Sequence, residues 1–85
     1  MTRTETQLRL IRRHLLAGNT ITPAEALRLC GCFRLSAIIY ILRHTEDVDI
    51  VKDYPEMPEK HYARYWIEKG WLLRHADEME GLMER

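Results

Sequence analysis

Thr20-Ile21-Thr22-Pro23-Ala24-Glu25-Ala26-Leu27-Arg28-Leu29-Cys30-Gly31-Cys32-Phe33-Arg34-Leu35-Ser36-Ala37-Ile38-Ile39-Tyr40-Ile41-Leu42-Arg43 is the stretch from which the rest of the chain is read. It opens on a helix start. The Thr22 hydroxyl can accept from the Glu25 amide, and the Glu25 carboxylate can reach back to the Thr22 amide. Pro23 stands between them at the first helical position, where its missing N–H costs nothing. Ala26, Leu27 and Cys30 then recur at helical spacing until Gly31, which can take the left-handed conformation that closes a helix. A second helix follows at once, with Leu35, Ile39 and Leu42 as its inward stripe.

Two short helices joined by a tight Gly-containing turn make a helix-turn-helix, whose second helix is the usual reader of a DNA major groove. Upstream, Thr4 is a candidate N-cap, and Leu8, Ile11 and Leu15 give the first helix its inward stripe before Gly18-Asn19 ends it. Arg9, Arg12, Arg13 and His14 lie mainly on its other faces, where a basic flank can touch a DNA backbone. On the reading helix, Arg34 is placed for a guanine edge or a phosphate, Ser36 for either, and Arg43 for the backbone at the far end. Ile38 and Ile41 do not suit that role. Two branched apolar residues on an outward face fit a protein interface at least as well.

The 85 residues suffice for one domain with a small core, which favours help from a partner subunit. Net charge is zero, but it is unevenly spread. Up to Arg43 there are seven arginines against two glutamates; beyond it, six basic residues face eleven acids. A basic half that meets phosphate and an acidic half that does not would give this split. No apolar run approaches the roughly 18 residues that span a membrane, and the N-terminus lacks a signal-peptide pattern. Cys30 and Cys32 are too close in sequence to pair well; one should point into the core, which suits a reducing compartment.

After His44, Thr45-Glu46-Asp47 reads as a loop, and Val48, Ile50 and Val51 supply β-branched density for a strand over 49–54. Pro55 and Pro58 require a turn. From His61 to Ile67, Ala63, Tyr65 and Ile67 alternate with Tyr62, Arg64 and Trp66 as in the second strand of a hairpin. A rival reading starts a helix at Pro58 and runs it to Lys69. Trp71 to Arg85 reads as one helix, with Leu72, Ala76, Met79 and Met83 as a coiled-coil-like seam. That seam, with Trp71, can dock on its own domain or pair with a second copy in a homodimer.

Ile21-Thr22-Pro23-Ala24-Glu25-Ala26-Leu27, Gly31-Cys32-Phe33-Arg34-Leu35-Ser36-Ala37, Leu42-Arg43 and Tyr62-Ala63-Arg64-Tyr65 together resemble the small winged helix-turn-helix domain of phage and prophage proteins. The resemblance runs from about His14 to Ile67. With the tail's own apolar spacing giving a C-terminal amphipathic helix over 70–85, it implies a mainly α fold with a small β-hairpin and a winged helix-turn-helix domain over 1–69. It favours the strand reading, and it implies phage origin, DNA binding and residence in the cytoplasm of a bacterial host, with Arg64 as the wing's contact. Family members tend to be polar or basic at the positions of Ile38 and Ile41, and Glu56 and Glu59 make this wing acidic.

No catalytic constellation is visible. His14, His44, His61 and His75 have no paired spacing, Cys30-x-Cys32 lacks a second pair for zinc, and there is no Gly-rich phosphate loop. The sequence reads as a binding module without cofactor or metal, not an enzyme. Its leading partner is double-stranded DNA, contacted by Arg34, Ser36, Arg43, Arg9, Arg12, Arg13 and Arg64, in an accessory or regulatory protein. The alternative is a host protein, with Ile38 and Ile41 at the interface, as for a phage counter-defence inhibitor or assembly factor.

Overall fold

Each of the first two helices carries its own start signal. A computed structural model describes residues 2–54 and 63–84. Helix α1 spans Arg3–Leu16, α2 Pro23–Cys30 and α3 Leu35–Thr45. The cap of α1 is Thr2, not Thr4: Thr2 Oγ1 accepts the Glu5 amide at 3.1 Å, and Glu5 accepts the Thr2 amide at 3.2 Å. Thr4 loses the role because the Thr2–Glu5 box starts the helix two residues earlier and leaves Thr4 inside it; Gln7 instead donates to the carbonyls of Cys30 at 3.4 Å and Gly31 at 3.3 Å. In α2 the expected box forms between Thr22 and Glu25, and Gly31 closes the helix at φ +67.

Strand β1 (Ile50–Asp53) pairs antiparallel with β2 (Arg64–Ile67), Ile50 opposite Ile67 and Asp53 opposite Arg64. Tyr65 and Ile67 are buried while Arg64 and Trp66 are half-buried, the alternation expected of a one-sided strand. The helix alternative therefore fails for 64–67, where β-branched and aromatic residues find a pairing partner. The expected turn from Pro55 to Lys60, and the strand positions His61 and Tyr62, lie outside the described residues. Ile21 extends the sheet by a single bridge: it exchanges two backbone hydrogen bonds with Tyr65, at 2.8 and 2.9 Å. This pins the α1–α2 link to the hairpin.

The core lies between the three helices and the sheet, with Ile11, Leu15, Ile21 and Leu42 fully enclosed. Cys32 is the cysteine that enters it, and both thiols are free. Ile38 also belongs to the core, at 3 % exposure, which corrects its expected outward placement. Leu35, Ile38, Ile39 and Leu42 follow i, i+3, i+4, i+7, the full arc a globular helix buries; a three-residue stripe was too narrow.

The tail is not one helix. It comprises α4 (Lys69–Arg74), a 3₁₀ turn (Ala76–Glu78) and α5 (Met79–Met83). Trp71 enters the core at 6 % exposure and its indole donates to the Asp47 carbonyl at 3.1 Å. His75 stacks on Trp71, with ring centroids 4.0 Å apart, and the chain breaks there. Leu72, Met79 and Met83 pack against this same core and α5 lies on α1, whereas Ala76 is exposed. No helix among the described residues is long and apolar enough to cross a membrane.

Candidate nucleic-acid interface

Helix α3 buries one face, so the opposite one is presented: Ser36, Tyr40 and His44 are exposed and recur at i, i+4, i+8. Arg34 caps the N-terminal end through its backbone and is exposed. Tyr40 is 63 % exposed and rests against His44, ring centroids 4.3 Å apart. From Leu35 to Thr45 the helix carries no acid, so nothing on it repels phosphate.

The expected arginines divide. Arg34 and Arg13 stand exposed in water, and Arg9 is half-buried. The Arg9 Nε is sealed from solvent and has no acceptor among the described residues. Arg12 is 7 % exposed and grips Glu46 through a two-pronged ion pair, its Nε donating at 2.8 Å. This removes Arg12 from the expected contacts: a guanidinium spent on a nearly buried carboxylate has no free donor face for DNA. Arg43 is half-buried and donates to the Ile50 carbonyl at 2.7 Å, tying α3 to the first residue of β1. Arg64 bonds Asp53 across the hairpin at 3.2 Å and lies 5.4 Å over the Trp66 ring. The wing's arginine thus sits beside an acid that offsets its charge.

Two wing residues were missed from the sequence. Lys52 is exposed and its ammonium lies 5.3 Å from the Tyr54 ring. A hydrogen bond to the Tyr54 side chain chiefly raises the Lys52 pKa above the ordinary lysine value; the charges of Tyr65 and Tyr54 add to this, and desolvation and Arg43 oppose it. Lys52 therefore stays cationic wherever DNA would be met. Alternation alone would turn Lys52 inward with Ile50; it is exposed even though its cross-strand partner Tyr65 is buried.

Burial, and then the neighbouring Cys32, hold the Cys30 thiol above its ordinary pKa against an opposing backbone hydrogen bond from Cys32. The thiol donates to the Ala26 carbonyl at 3.5 Å instead of forming a reactive thiolate. Among the described residues no group of three or more His, Cys, Asp or Glu could hold a metal ion.

A helix pair with a tight turn, an outward-facing second helix and a two-stranded wing docked by Ile21 define a winged helix-turn-helix type of domain. A family model described as a winged helix-turn-helix domain matches residues 6–70, and the chain belongs to that family. No curated protein and no solved structure gives a significant match.

Proposed function

We propose that this domain binds duplex DNA and serves as an accessory or regulatory protein of phage type. The observation that carries the reading is the acid-free outward face of α3, running from Arg34 and Ser36 to His44, with Arg43 and Lys52 at the base of the wing. In this reading Arg34 and Ser36 meet base edges or phosphate, Arg13 and Arg9 approach the backbone, and Lys52 and Arg64 reach it from the wing. The phage attribution rests on the sequence resemblance alone.

The basic contacts are few, so affinity should be modest and strongly salt-dependent. Each phosphate neutralised adds roughly 0.9 to the salt slope. Titration of a labelled random-sequence duplex at low and at physiological salt is the test. A clear fall in affinity between the two is expected, and no binding at low salt would sink the reading.

A second reading, docking on a host protein, loses Ile38 to the core but gains Phe33 and Tyr40, which are 84 % and 63 % exposed. Pull-down from nuclease-treated lysate separates the two, since only a protein partner survives the nuclease. Neither reading requires the homodimer expected through the tail: Trp71 lies in the core, and Leu72, Met79 and Met83 are partly buried against it.

A further inference from the structure

A cleft of ≈ 330 Å³ opens between the first turn of α1 and the start of α3. Its floor is apolar: Ala37, Ile38 and Ile41 line it. Ile41, half-buried, offers its side chain there, while Ile38 is a core residue at the base of the cleft. Phe33, 84 % exposed at the end of the turn, forms one wall. Arg3 and Arg34 stand at its rim; both are exposed, and neither guanidinium has a carboxylate partner among the described residues. Among the described residues, no acid lines the cleft.

We propose that this cleft binds a small amphipathic anion, a carboxylate or phosphate carried on an aryl or short acyl body. Volume, floor and rim each argue for that chemistry. Small-molecule sites begin at roughly 300 Å³ and combine an apolar lining with a few placed polar groups. Two guanidinium groups without a carboxylate partner among the described residues select a negative head. The apolar floor and Phe33 select a hydrophobic body, because a bare anion would leave that surface wet. Neither half of the ligand alone should suffice. The inference does not depend on DNA binding, and its test contains no DNA.

The experiment titrates the full chain with 1-naphthoate and follows backbone amide shifts by NMR. Inorganic phosphate and 1-naphthylmethanol serve as the head alone and the body alone. Saturable shifts are expected at Thr4, Gly31, Phe33, Arg34 and Ala37, with both partial probes at least about tenfold weaker. The double variant Arg3→Gln, Arg34→Gln should weaken naphthoate by tenfold or more while circular dichroism and Tm stay unchanged, as both side chains are exposed. Phe33→Ala, also at an exposed position, should weaken naphthoate and leave phosphate as it was. No saturable shift at millimolar naphthoate, shifts mapping elsewhere, equal binding of the neutral alcohol, or unchanged affinity in the double arginine variant would each overturn the proposal.

Discussion

Helices α2 and α4 are both short, eight residues and six, yet they are held by opposite means. Helix α2 closes both its ends within its own sequence: Thr22 and Glu25 satisfy the first amides reciprocally, and Gly31 turns left-handed to return the chain to the Leu27 carbonyl at 2.8 Å. Only Ala26 of its residues is buried. Helix α4 has a start, with Glu68 accepting the Trp71 amide at 2.9 Å, but it is too short to hold alone. Its hold on the domain is tertiary, through the buried Trp71, whose indole reaches the Asp47 carbonyl 24 residues back. One helix is specified locally and then packed; the other exists because it is packed.

The largest effect expected from this difference is at Trp71. Trp71→Ala removes the tail's anchor and leaves a cavity in a small core, costing about 3–5 kcal/mol. Against a total stability on the order of 5–15 kcal/mol, the urea midpoint should fall by a large fraction, down to near zero if the parent lies at the low end of that range. A loss below about 1 kcal/mol would mean that the tail is accessory to the fold.

The matching disturbance in α2 is smaller and local. Gly31 sits at φ +67 with open space around the Cβ position, so Gly31→Ala introduces strain without a clash. A left-handed alanine costs about 1–2 kcal/mol. Urea melts should shift by that amount, with an unchanged m-value, because the unfolding unit is still the whole domain. A cost equal to that of Trp71→Ala would show that α2 too depends on tertiary packing, and would end the contrast.

The same contrast explains what could be read from residues alone. Thr22, Pro23, Glu25 and Gly31 announce α2 because every partner lies within nine positions. Ile39 and Leu42 were legible for the same reason, and Ile38 was missed only because the stripe was drawn too narrow. The Arg12–Glu46 pair spans 34 residues, and no local pattern marks Arg12 as different from exposed Arg13 beside it. The break at His75 was hidden too: Leu72, Ala76, Met79 and Met83 keep helical spacing across it, and what ends α4 is the packing of Trp71 with His75 against it. Of the candidate interface, Arg34 and Ser36 were legible as a helix start, whereas Lys52 and Tyr54 depend on the register of β1 against β2.

The smallest effect concerns the start of α4, the one part of that helix that is specified locally. Hydrogen bonds from the amides of Gly70 and then Trp71, with a lesser pull from Arg74, hold the Glu68 carboxyl below its ordinary pKa; slight desolvation opposes them. A depressed carboxylate pKa means the contribution is complete above the ordinary carboxylate range and is lost as pH falls through the lowered folded value. Glu68→Gln keeps an acceptor but no charge. Its Tm should therefore lie slightly below that of the parent at pH 7, and the two should converge in acid, where Glu68 is itself protonated. Since Glu68 is open to solvent, the difference should be a degree or two, roughly the scale of an exposed charge at a helix N-terminus. A constant offset from pH 7 down to pH 3 would show that the side chain acts by shape alone. Convergence would give α4 a small charge-dependent start of its own, set beneath the much larger hold of Trp71.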